Sequence, residues 1–268
     1  MSRIDRRTFL SLGTGTAAIA LLPLSGCGGG SEDDAPSLSV LDTAQEPMRA
    51  TLNAPQFQAL GRSHSLVITG NDGRQRRYGG VGASRGKFNF PAGVAVVNGL
   101  GYVVETGNHR VQVFDINGTS LGFIGEGELL YPGGITAGQN EIFVSDSRHA
   151  RIVSFTLDGK VKRVIGTAIL SAPRGLVVAG TSVLVADTGL RKVLRLGFDG
   201  RVQGELGTGW VLPWDVATDG KNAYVADASR NEIGVFTLSG KQLPSLPLTF
   251  APANVAFRSG ALQVTPQG

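Results

Sequence analysis

Three features of this 268-residue sequence predict an all-β fold assembled as a ring of repeated four-stranded sheets. Residues 90–125 hold four short apolar runs, at 94–97, 102–104, 111–114 and 121–124, each rich in β-branched or aromatic residues. Gly, Asn or Asp punctuates each run, the pattern of short antiparallel strands. A proline that opens this stretch then recurs as Pro91, Pro132, Pro173, Pro213 and Pro252, at spacings of 41, 41, 40 and 39. A hairpin glycine keeps step with it, in Asp72-Gly73, Asn117-Gly118, Asp158-Gly159, Asp199-Gly200 and Ser239-Gly240. A period of about 40 residues with four strands per unit is the signature of a β-propeller blade.

Four complete blades follow from the period, at 90–125, 130–166, 171–207 and 211–247. Asn117-Gly118 predicts a two-residue type I′ turn between the third and fourth strands, with positive φ at both positions. The two ends of the repeat region are complementary. Residues 66–82 match a third and fourth strand, and residues 252–265 match a first and second. Joined, they make a fifth blade with strands from both ends of the chain, which closes the ring and removes its open edges. Six blades is the alternative, and would require residues 38–61 to supply more sheet. In that stretch 38–41 reads as a strand and 55–60 as a turn of helix. Blades pack face to face, so Tyr102, Phe114, Phe143, Phe155, Phe198, Tyr224 and Phe236 are expected between them rather than in a ligand cage.

The run from Tyr102 to Asp115, YVVETGNHRVQVFD, resembles an NHL repeat, and Asn108-His109 matches part of the motif that names that family. The likeness covers roughly residues 62–268 and is sharpest in its first full copy. Later copies replace the pair by His149-Ala150, Leu190-Arg191 and Arg230-Asn231. The resemblance implies a propeller, usually of six blades, and most often an interaction platform. Some exported members of the family are lyases or lactonases.

Residues 1–26 read as an export signal. Arg6-Arg7-Thr8-Phe9-Leu10 resembles a twin-arginine motif, and the apolar stretch at 17–24 is too short to span a bilayer. Leu24-Ser25-Gly26-Cys27 then resembles a lipobox, with Cys27 as the lipid-bearing residue. Cys27 is the one cysteine in the chain, so its lipidation would leave no thiol for a disulfide or a metal. Gly28 after it resembles lipoproteins sent to the outer membrane rather than the inner. Residues 27–61 begin with GGGSEDDAPS, which has nothing to bury and reads as a flexible tether. The propeller is assigned to residues 62–268.

The whole chain has 25 basic and 21 acidic residues. Counted over 62–268 alone the numbers are 21 and 15, a net of +6. Topology concentrates that charge. The loop joining second and third strands, and the loop leading into the next blade, emerge at the same end of a propeller. Those loops carry Arg148, Arg174, Arg191, Arg230 and His149, with Trp210 and Trp214 beside Pro213. Arginine next to an exposed indole suits anionic groups or stacked sugars. Glu105 and Arg110, Asp146 and Arg151, and Asp187 and Lys192 bracket successive connections, and read as exposed loop-fixing ion pairs of ~0.2–1 kcal/mol each.

Enzyme chemistry finds few candidates. The three histidines, His64, His109 and His149, fall on separate blades, too far apart to share a zinc held at ~2.0–2.1 Å. Asp215 is the one acid on the channel-lining first strands, whereas calcium takes six to eight oxygens. The expectation is therefore a monomeric, exported propeller, lipid-anchored at the periplasmic face. It acts as a non-catalytic binding or assembly platform for a protein or an anionic envelope component, with no cofactor and no nucleic acid. The alternative is an exported propeller lyase or hydrolase, with Ca²⁺ as its candidate ion.

Overall fold

The computed structural model describes residues 17–20, 39–42, 56–138, 140–258 and 261–266. Arg6, Arg7 and Cys27 lie outside them, and so does most of the expected tether. Among the described residues no helix is long and apolar enough to cross a membrane.

The chain is an all-β propeller. Four sheets follow the proline period: β6–β9 (Pro91–Val97, Leu100–Glu105, Arg110–Phe114, Ser120–Ile124), β10–β13 (Pro132–Gly138, Glu141–Asp146, Arg151–Thr156, Val161–Ile165), β14–β17 (Pro173–Ala179, Ser182–Asp187, Lys192–Gly197, Val202–Glu205) and β18–β21 (Pro213–Thr218, Asn222–Asp227, Glu232–Thr237, Gln242–Pro247). Each is a simple antiparallel meander. A fifth four-stranded sheet takes β22 (Pro252–Arg258) and β23 (Ala261–Pro266) from one end of the chain, and β1 (Ala17–Ala20) and β2 (Ser39–Asp42) from the other. Its order is β2-β1-β23-β22, with Ile19 opposite Val264. The ends do share a blade, as expected, but not through the expected strands, and β1 falls within residues 1–26, the stretch expected as an export signal.

Residues 66–82 do not join it. They fold as β4 (Ser65–Thr69) and β5 (Gln75–Gly79) on β3 (Gln56–Leu60), a separate three-stranded sheet. Residues 56–60 are thus strand and not helix, and the first sheet begins before Arg62. Phe57 is fully buried with Leu66, Ile68, Phe88, Val103 and Phe114, so β3 seals the flank of the β6 blade.

First strands succeed one another about the axis, β6 beside β10, then β14, β18 and β22, with β3 beside β6. Core side chains lie between blades. Tyr102 packs with Ile142, Val144 and Phe155, and Phe143 packs with Ile165, Leu176 and Val185. The aromatics expected between blades are buried there, Phe198 in part, where its ring stacks on Phe143 at 5.0 Å. A buried Phe or Leu of this kind contributes about 1.5–3 kcal/mol.

The hairpin turns differ from expectation. At Asn117-Gly118 only the glycine has positive φ, +80°. Asp115 Oδ1 accepts the N–H groups of Asn117 and Thr119, and the register shifts between Val113 and Phe114. The turn is therefore a type I turn closed by a glycine bulge, not type I′. An aspartate at its first position satisfies two N–H groups that a two-residue loop would leave differently placed.

Candidate functional site

Among the described residues the connections leading into β4, β8, β12, β16 and β20 each end in a left-handed residue: His64, His109, Ala150, Arg191 and Asn231, with φ between 47° and 57°. The conformation reverses the chain in the shortest distance and turns each of these strands back beside the one before it. Thr106 Oγ1 donates to the Pro132 carbonyl at 2.8 Å, and Ser147 Oγ donates to that of Pro173 at 2.5 Å. These bonds hold each connection against the start of the next blade. The connections and the first-strand starts therefore share one end of the ring.

The acids that close the second strands β7, β11, β15 and β19 are fully buried, not exposed as expected; Glu105–Arg110 and Asp146–Arg151 pair as expected, at 3.0 and 2.8 Å, but Asp187–Lys192 does not. Asp187 accepts the N–H groups of Ser171 at 2.8 Å, Ala172 at 3.0 Å and Leu190 at 2.9 Å. Asp227 accepts those of Val211 at 3.0 Å and Leu212 at 3.1 Å. Each aspartate thus latches the segment just before its own blade's opening proline. Lys192 turns instead to Glu205, at 2.9 Å. Asp146 divides its oxygens. Oδ1 accepts the Leu130 N–H at 2.8 Å, and Oδ2 meets Arg151 at 2.8 Å and His149 at 2.9 Å. Glu105 is occupied by Asn108, Arg110 and Gln112. Where the acid is so engaged, a histidine completes the latch. His64 Nδ1 accepts the Phe90 N–H, and His109 Nδ1 the Tyr131 N–H, both at 3.1 Å. The imidazoles lie on the same aromatic rings, at 4.7 and 4.4 Å between centroids.

Of the expected rim residues, Arg148 and Arg191 are exposed on these connections. Neither guanidinium has a hydrogen bond or ion pair among the described residues. Arg230 is tied down, donating to the Gly209 carbonyl at 2.6 Å and lying 3.6 Å from Glu232 and 3.8 Å from Asp227. His149 is held by Asp146. Trp210 is not on the rim. It is buried against Phe236, and its Nε1 donates to the Leu206 carbonyl at 2.8 Å.

Arg174 and Trp214 come together at the inner edge. Both are half-buried residues next to an opening proline, and the guanidinium carbon sits 3.9 Å from the indole centroid. Burial lowers the Arg174 pKa, although a guanidinium remains charged throughout the working range. Asp215 follows Trp214. Its Oδ1 accepts the Val216 N–H and its Oδ2 the Val255 N–H, both at 2.9 Å, so it bridges β18 to β22. Burial raises its pKa to about 7, with the two N–H bonds pulling the other way. A Cβ on Gly175 would collide with this carboxylate, which is why the residue after Arg174 is glycine. Among the described residues no three His, Cys, Asp or Glu side chains converge as a metal site would require.

The chain is a β-propeller, and a family model described as NHL repeat matches its residues 88–114. A comparison with curated proteins finds no match. Among solved structures the chain is similar to virginiamycin B lyase from Staphylococcus aureus, with a TM-score of 0.62 and 15% identity over 87% of this chain and 85% of that one. The catalytically inactive H270A form of that lyase with quinupristin gives 0.63 and 14%, over 87% and 85%. A chain of a nidogen/laminin complex gives 0.64 and 19%, over 78% of this chain and 84% of that one. At these identities the likeness is one of fold.

Proposed function

We propose that this propeller is an exported, membrane-tethered platform that binds an envelope protein or anionic envelope component through the end bearing Arg148, Arg174 and Arg191. The observation that carries the reading is the unpaired state of these three cations among the described residues. Arg110, Arg151 and Arg163, by contrast, are each drawn to a buried carboxylate. Two exposed arginines beside a third that packs on an indole are what an interaction surface for anionic groups requires. Tethering rests on the lipobox-like sequence at Cys27, with the twin-arginine-like Arg6-Arg7 ahead of it.

A lyase or hydrolase is the second reading, favoured by the likeness to virginiamycin B lyase. Its difficulty is the histidines, since His64, His109 and His149 each spend Nδ1 on a structural bond.

Capture from membrane extracts tests the platform reading. The Arg148→Glu/Arg191→Glu double variant is expected to lose the partners that the wild type retains, and equal capture would contradict the reading. Cys27→Ser should move the protein to the soluble fraction, and continued membrane association would contradict the anchor.

A further inference from the structure

Arg174 differs from Arg110 and Arg151 in having no acid beside it: Arg110 also lies over an aromatic ring, Phe123, at 3.5 Å, but is paired. Arg110 meets Glu105 and Glu126, both at 3.0 Å, and Arg151 meets Asp146 at 2.8 Å. The nearest first-strand acid, Asp215, directs its two oxygens at the Val216 and Val255 N–H groups and makes no ion pair with Arg174. With its carbon 3.9 Å from the indole centroid, the guanidinium packs on the ring and has no hydrogen-bond partner among the described residues. Being packed there, it loses little further entropy on making hydrogen bonds.

The surroundings keep the guanidinium accessible. The residues after the opening prolines of the other blades are Ala92, Gly133 and Ala253, so no large side chain enters from those positions. Neighbouring connections add charge. Ser147, which precedes Arg148, donates to the Pro173 carbonyl, and Thr188 on the Arg191 connection donates to that of Ala172 at 3.1 Å. Arg148 and Arg191 thus lie on the two connections that touch the segment carrying Arg174. Three cations without acidic partners suit a multiply charged tetrahedral anion better than a single carboxylate.

We propose that Arg174, stacked on Trp214 at the inner edge of the ring and flanked by Arg148 and Arg191, is a receptor for a phosphate group. The inference rests on the binding-platform reading and names the chemistry recognised by that end. The phosphate is either free or esterified, and both present the same three oxygens to the fork.

Titration of the full chain with inorganic phosphate, glycerol phosphate and acetate at constant ionic strength tests it. Trp214 fluorescence and the Arg174 Nε–H resonance are the readouts. Phosphate is expected to shift both saturably, and Arg174→Lys to weaken binding about tenfold or more, because lysine lacks the fork. Arg174→Gln, whose folding is checked by circular dichroism, is expected to abolish the response. Arg201→Gln, exposed in a hairpin turn at the other end, is expected to leave it unchanged. Tighter binding of glycerol phosphate assigns an ester as the natural ligand, and equal binding assigns the free anion. Phosphate binding by Arg174→Lys equal to the wild type, or an acetate response matching that of phosphate, overturns the proposal. Phosphate binding that survives while extract capture fails would place the fault in the platform reading and not in the receptor.

Discussion

The blades opening at β14 and β18 fasten the segment before their proline with an aspartate of their own, whereas those opening at β6 and β10 use a histidine from the sheet before, alongside Asp146 at β10. In the aspartate blades both carboxylate oxygens are free for backbone N–H groups, because Lys192 prefers Glu205 and residue 232 is itself an acid. In the histidine blades an arginine five residues after the acid has claimed an oxygen, as Arg110 does on Glu105 and Arg151 on Asp146. One N–H is then left over at Phe90 and at Tyr131, and His64 and His109 accept them. The lesson is about accounting for donors. A buried N–H must be satisfied by something, and a change at one position of the repeat shifts the task to another blade.

The sharpest way to break this comparison is to remove an acid. Asp187→Ala strands three N–H groups, those of Ser171, Ala172 and Leu190, and is expected to cost about 3 kcal/mol in denaturant unfolding. A loss no larger than that of an exposed salt bridge would return the acid to the pairing role suggested by its spacing.

Asp215 extends the comparison to a carboxylate that joins first strands. Its folded-state pKa of about 7 lies above the ordinary value, so between about pH 4 and pH 7 the folded chain holds a proton that the unfolded chain has released. Its contribution to stability is therefore full below that window and is lost as pH rises through it, flattening above. Tm by calorimetry should fall by several degrees more in the wild type than in Asp215→Asn between those limits. Parallel curves would show that the carboxyl titrates normally.

The smallest expected effect belongs to the histidine latch. His109→Ala removes one acceptor at an exposed edge and should cost about 1 kcal/mol, a fraction of the Asp187→Ala loss. Equal losses would erase the distinction between the two kinds of blade.

Much of this ring was legible in the sequence because proline and the hairpin glycine punctuate it at fixed spacing. In the first sheet β4 and β5 were legible from the Asp72-Gly73 turn between them, whereas β3 was not, because it buries only Phe57 fully and QFQAL alternates weakly. The latch acids were visible as a repeat and two of their cations, Arg110 and Arg151, were legible, but Lys192 was misassigned and the backbone donors were missed. Their donors lie 15 or 16 residues upstream, across the first strand, and the cation five residues downstream was the nearer suggestion. Asp227 followed by Glu232 was the clue, since an acid retained without its cation must serve something else. Trp210 and Trp214 both flank Pro213, and spacing alone did not distinguish the one packed on Phe236 from the one stacked under Arg174.

The division of labour between aspartate and histidine is tested most directly by the imidazole tautomers, read from long-range proton–nitrogen correlation spectra above the histidine titration range. His64 and His109 are predicted to carry their proton on Nε2, leaving Nδ1 as the acceptor for Phe90 and Tyr131. A proton on Nδ1 of either ring would contradict the account, because that nitrogen would then face the backbone N–H as a second donor.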